Sequence, residues 1–186
     1  MTEQKRTAET ALPGDADARQ TVEEIVRVDQ AGEFGAVRIY AGQLAVLKTG
    51  PAAERIREMA AKEAEHLEAF NAMMVARRVR PTALQPLWHV AGFALGAATA
   101  LMGERAAMAC TVAVEEVIDE HYAEQAKKLG EDQAELRGTI ERFRADELEH
   151  RDVALAHEAR EAPGYPLLSA AIKAGSRLAI WLSTRI

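Results

Sequence analysis

At 186 residues and a formal net charge of −6, the chain is long enough for one domain with a sizeable core. It has no basic excess with which to neutralise phosphates, which argues against nucleic-acid binding. Cys110 is the only cysteine, which excludes an intramolecular disulfide, a cysteine-based zinc site and a rubredoxin-type iron centre. Few aromatics, abundant alanine, leucine and glutamate, and few helix breakers predict an all-α fold.

Residues 1–20 are polar, contain Pro13-Gly14-Asp15 and lack the apolar run of a signal peptide. They read as a disordered lead-in to a single domain over 21–186, and a cytoplasmic location is expected. Thr21-Val22-Glu23-Glu24 has the form of a capping box and predicts a first helix over about 21–48. Thr49-Gly50 ends it, and Pro51 suits the first turn of a second helix, about 51–79. A third segment, 86–102, is apolar on nearly every face, but with His89 and two glycines it is too short to cross a bilayer comfortably. Gly103 divides it from a fourth helix ending near Leu129-Gly130. A fifth is predicted over 131–161, stopped by Pro163-Gly164, and a sixth over 166–184.

Two Glu-x-x-His pairs, Glu63–His66 and Glu147–His150, occupy matching places in a faint internal repeat, residues 61–68 against 145–152. Glu33 precedes the first pair by 30 residues and Glu115 precedes the second by 32. Each half reads as a helix hairpin in which one helix offers a lone glutamate and the next a Glu-x-x-His. Residues three apart project from nearly the same helix face, so each pair can reach one metal. Glu65 and Glu149 point away from that face. Glu33 and Glu115 sit in small or apolar settings, as core-facing residues would. Buried carboxylates are costly unless cations lie between them, and two ferrous ions would neutralise four of them. Carboxylate and imidazole ligation suits non-haem iron, and manganese also fits on ligand grounds. The set is the ligand pattern of carboxylate-bridged di-metal sites in ferritin-like four-helix bundles. The expected fold is therefore such a bundle with two additional apolar or amphipathic helical segments.

Residues 27–36 (Arg-Val-Asp-Gln-Ala-Gly-Glu-Phe-Gly-Ala) and 38–43 closely resemble the first motif of the demethoxyubiquinone hydroxylases. Residues 109–116, with His121-Tyr122, and residues 143–150 are similar to later motifs of the same family, and residues 174–180 to its tail. The resemblance covers about 21–186. It implies a di-iron monooxygenase of ubiquinone biosynthesis that uses dioxygen to hydroxylate a polyprenylated 6-methoxy-3-methyl-1,4-benzoquinol. Glu33, Glu63 and His66 would serve mainly one iron. Glu115, Glu147 and His150 would serve mainly the other, with Glu63 and Glu147 bridging. Electrons would come from NADH through the quinone, and no Gly-x-Gly-x-x-Gly nucleotide fingerprint is present. Gln30 departs from the histidine that many members carry there. Tyr122, seven residues after Glu115, shares its helix face and is a candidate to back the metal site or touch substrate. His121 is expected to be exposed, and His89 and His157 are read as non-ligands.

A polyprenyl quinol resides in the bilayer. Residues 86–102 and 166–186 are therefore expected to dock on the cytoplasmic face of a bacterial cell membrane, the second with Lys173, Arg177 and Arg185 beside an apolar face and Trp181. A biosynthetic complex or a homo-oligomer is expected around the enzyme. The main alternative on the same ligands is a ferritin-like iron-binding or ferroxidase protein.

Overall fold

The computed structural model describes residues 18–186, with the Ala18 side chain left aside. Six helices follow in order: α1 (Ala18–Val46), α2 (Pro51–Arg77), α3 (Gln85–Leu101), α4 (Glu104–Lys128), α5 (Ala134–Ala156) and α6 (Tyr165–Arg185). Single 3₁₀ turns occupy Glu131–Gln133 and Ala159–Glu161. No strand occurs among the described residues. The expected lead-in lies outside the described residues apart from its last three, which are already helical. Thr21 thus sits inside α1 and does not start it.

The hairpins α1–α2 and α4–α5 form a four-helix bundle. Backbones are close within each hairpin and stand further apart between hairpins, which leaves a central layer for large side chains. The sequence periodicity builds that layer. On α2 the buried positions Ile56, Met59, Glu63, His66, Phe70 and Met74 recur every three or four residues. On α5 Leu136, Ile140, Phe143, Glu147, His150 and Ala154 do the same. The acidic and imidazole residues therefore lie on the same stripe as the hydrophobic core residues, facing inward.

The fifth helix is shorter than expected at both ends. It stops at Ala156 because Glu158 takes a left-handed conformation (φ 59°), held by a 2.6 Å ion pair with Arg105 at the start of α4. Ala159 and Ala162 then tuck into the core. Burial and a cross-chain contact thus override the local helix propensity.

α3 and α6 lie outside the bundle, against its α1–α4 face. α3 lies so close to α1 that glycine is required along the seam. A Cβ at Gly96 would stand 1.9 Å from the Ile39 carbonyl oxygen, and one at Gly42 2.1 Å from that of Phe93. The Trp88 indole N–H donates to Ser183 Oγ at 2.9 Å, tying α3 to α6. No helix among the described residues is long and apolar enough to cross a membrane.

Candidate metal centre

Each of the four bundle helices sends its acidic or imidazole residues to one level. Glu33 comes from α1, Glu63 and His66 from α2, Glu115 from α4, and Glu147 and His150 from α5. All six are buried, at 6% exposure or less. They form two overlapping groups, Glu33–Glu63–His66–Glu147 and Glu63–Glu115–Glu147–His150, in each of which one ligand-type atom per residue lies within 4.8 Å of the others. Glu63 and Glu147 are the shared members. Glu65 and Glu149 are exposed, and His89 and His157 belong to neither group.

Both histidines turn Nδ1 inward. His66 Nδ1 lies 3.1 Å from Glu147 and 3.6 Å from Glu33. His150 Nδ1 lies 3.1 Å from both Glu63 and Glu147. Burial alone would lower the His66 pKa, but hydrogen bonds to Glu147 and Glu33 outweigh it and push it up to about 10. Burial likewise favours protonated Glu147, yet hydrogen bonds from His150 and His66 bring it down to about 2. Glu63 and Glu115 are less well compensated, Glu115 by the Tyr40 hydroxyl alone. Burial first, and repulsion from Glu147 second, raise both well above the usual carboxylate range. The chain by itself thus gathers more acidic groups here than it can keep ionised. Glu63 Oε1, Glu147 Oε1 and His66 Nδ1 are fully buried, and their polar contacts are the poorly aligned ones just described, less than buried polar groups usually receive. Cations between the carboxylates would satisfy all three atoms, so these buried Glu and His groups could hold metal ions.

A tyrosine backs the layer from each hairpin. The Tyr122 hydroxyl of α4 donates to Glu33 Oε1, and the Tyr40 hydroxyl of α1 donates to Glu115 Oε1 at 3.0 Å. Tyr122 thus contacts Glu33 of the other hairpin, not the Glu115 whose helix face it shares. Tyr40 went unnoticed in the sequence although the signal was there: it stands seven residues after Glu33, as Tyr122 does after Glu115. Gln43 and Gln125 repeat the same spacing, three residues further on. Burial raises both phenols well above their ordinary pKa, so they stay neutral donors.

His121 is not exposed as expected. Its side chain is 20% accessible and stands 3.6 Å from the buried Asp29 carboxylate. Gln125 approaches both, at 2.7 Å from Asp29 and 2.8 Å from His121. Asp29 and Gln125 come from different hairpins, so helix periodicity alone could not reveal the contact. Gln30, buried, donates to Asn71 Oδ1 at 3.0 Å and lies outside both groups.

Beyond the α1–α4 wall lies a partly open cavity of about 420 Å³, bordered on its outer side by α3 and α6. Its lining is almost wholly small or aliphatic, with Ser176 and Ser183 among the few polar groups. Gly32 and Val114 of that wall are chain neighbours of Glu33 and Glu115, so the cavity and the carboxylate layer share the same two helices.

Comparison with known proteins agrees with this geometry. A family model described as ubiquinone biosynthesis protein COQ7 matches residues 20–183. A Rhodospirillum rubrum protein named 3-demethoxyubiquinol 3-hydroxylase is 57% identical over 183 residues, 98% of this chain and 86% of its own. A human protein named NADPH-dependent 3-demethoxyubiquinone 3-hydroxylase, mitochondrial, is 53% identical over 91% of this chain and 80% of its own. A Saccharomyces cerevisiae protein named 5-demethoxyubiquinone hydroxylase, mitochondrial, is 42% identical over 89% and 78%. Matched over nearly its whole length, and with its repeated Glu and His residues meeting in one buried layer, the chain belongs to the COQ7 family of ubiquinone biosynthesis proteins.

Proposed function

We propose that this chain is a 3-demethoxyubiquinol 3-hydroxylase, a monooxygenase that adds one oxygen atom from O2 to the ring of a polyprenylated 6-methoxy-3-methyl-1,4-benzoquinol. The observation that carries this reading is the buried layer of four carboxylates and two imidazoles in a chain so similar to relatives named for that reaction. Two iron ions would sit there, with Glu33 and His66 on one, Glu115 and His150 on the other, and Glu63 and Glu147 bridging. Bound iron supplies the redox chemistry by which dioxygen is activated. The protein's own part is to hold the ions in a dry layer. Tyr40 and Tyr122 fix Glu115 and Glu33 by hydrogen bonds, and the bundle core excludes bulk water.

The apolar cavity between the bundle and the α3–α6 flank suits the quinol with the start of its prenyl chain. The flank also carries most of the exposed large hydrophobic residues, among them Leu87, Val90, Leu101, Leu167, Leu178 and Trp181. Exposed apolar surface of this extent marks an interaction site, and the bilayer that holds the substrate is the partner it fits. The location that goes with it is the cytoplasmic face of a bacterial cell membrane, as a peripheral protein. Two of the three basic residues of α6 contribute less to this than the sequence suggests. Lys173 pairs with Glu116, and Arg177 pairs with Glu120 at 2.9 Å, so apolar burial carries the docking. The reductant is a nicotinamide nucleotide acting through the quinone. The resemblance pointed to NADH, whereas the human relative is named for NADPH. A ferritin-like ferroxidase would share the carboxylate layer but has no use for the cavity or the exposed flank.

The test is to load the full chain anaerobically with Fe(II), count iron, and supply short-chain 3-demethoxyubiquinol, ¹⁸O2 and either nucleotide. About two irons per chain and one ¹⁸O in the ring product are expected. Iron uptake far beyond two, with no labelled product, would turn the reading toward storage.

A further inference from the structure

The two hairpins repeat the six acidic and imidazole residues, the tyrosines and the glutamines, yet they differ where the histidines are supported. On α5, Asp146 immediately precedes Glu147 and reaches across to α2, where its Oδ2 accepts from His66 Nε2 at 3.0 Å. The equivalent residue on α2, preceding Glu63, is Lys62. A lysine cannot accept a proton from His150, and Lys62 instead stands 4.0 Å from Asp146 itself. No carboxylate among the described residues lies within ion-pair distance of the outer nitrogen of His150. The ring faces differ as well. Phe143 stacks on His66 with centroids 3.9 Å apart, while its counterpart four residues before Glu63 is Met59, whose sulfur lies 3.9 Å from the Tyr40 hydroxyl. One turn before Glu33 stands the buried Asp29, where the other hairpin has Thr111, whose hydroxyl has no partner.

The first two of these differences favour one side. His66 is fixed at its edge and on its face, with the Nε2 proton committed to Asp146 and Nδ1 aimed into the cluster. A carboxylate on the far nitrogen makes an imidazole a stronger donor and removes the ordering cost of binding. His150 receives neither support. We infer that the two half-sites hold metal unequally, the Glu33–His66 half filling first, and that Asp146 is the positioning residue that sets the difference. The inference rests on the metal-centre reading of these six residues.

An anaerobic Fe(II) titration of the full chain by calorimetry, with ⁵⁷Fe Mössbauer spectra at one and two equivalents, tests it. Two steps are expected, separated by about tenfold or more in affinity. One quadrupole doublet should appear at the first equivalent and a distinct second one afterwards. Asp146→Asn keeps the shape and removes the charge. It should weaken the first step by about tenfold, leave the second where it was and so merge the two, while Asp146→Glu restores the separation. A single step with one shared signature in the unmutated chain would overturn the inference, as would an unchanged first step in Asp146→Asn. The unmutated titration decides the question even if the variant does not fold. Two irons bound in one step would leave the metal-centre reading standing and remove only the inequality. No binding at all would remove both.

Discussion

The interior of the bundle and its α3–α6 flank invert the ordinary distribution of polarity. Inside, Glu33, Glu63, Glu115 and Glu147 are buried at 3% exposure or less. Outside, Leu101 and Leu167 are more than 70% exposed. Each arrangement is unfavourable in water for the chain alone. A region that breaks the burial rule in a defined direction invites a partner of matching chemistry, which we propose to be metal ions in one place and lipid in the other. The two regions meet on α1 and α4, whose inner faces carry Glu33 and Glu115 and whose outer faces line the cavity.

If the interior completes itself with metal, Glu147→Ala should remove a shared carboxylate and lower hydroxylation by more than about a hundredfold, since even changes to groups behind the ligands commonly cost tenfold or more. Flotation with vesicles should be unchanged, because the flank is untouched. Retained turnover would show that Glu147 does not bridge.

Metal addition is expected to raise stability by about 3 kcal/mol at a hundredfold excess over the dissociation constant, a shift of roughly 5–10 °C in thermal midpoint for a domain of this size. This increment should grow with pH. The stability that metal-free His66 contributes is complete below 6.5 and is lost as pH rises through about 10. The protons held by Glu63 and Glu115 contribute fully below 4.5 and are lost as pH climbs toward their raised values. Glu147 acts oppositely: its contribution is present above 4.5 and lost as pH falls through about 2. Between pH 6 and 9 the metal-free midpoint should therefore fall while the loaded one falls less, because the cations replace the protons. Equal increments at both pH values would mean that metal binds elsewhere.

Smaller effects should separate the flank from the interior. Gly96→Ala drives a Cβ against the Ile39 carbonyl and should destabilise the fold by about 1–3 kcal/mol in urea melts. Iron stoichiometry should be unchanged, because the bundle hairpins do not include α3. Trp181→Ala should weaken partition onto vesicles by about five- to tenfold, the share of a half-exposed large side chain. Added salt should alter that partition little, since Lys173 and Arg177 are already paired. Strong salt dependence would restore the basic face as the docking device.

Much of the carboxylate layer was legible in the sequence because its spacing is local. A Glu-x-x-His on a helix needs only the 3.6-residue period to share a face, and the repeat pairs the two instances. Tyr40 was legible by the same reasoning from Glu33. The His121–Asp29–Gln125 contact, the Asp146–His66 bond and the stop at Glu158 were not, since each joins residues from different helices. Segment 86–102 read as apolar all round. Its glycines gain their meaning only against α1, whose carbonyls they let approach.

By itself the sequence determined the all-α class, the inward stripe that carries the six acidic and imidazole residues, and the family, because helical periodicity and motif identity are properties of short stretches of chain. Only the tertiary structure decided which atoms are left without partners, which acids cross to which histidine, and that a cavity lies behind the ligand-bearing helices. Those outcomes depend on how the two hairpins and the flank are packed, and packing distances are set by side chains far apart in the chain.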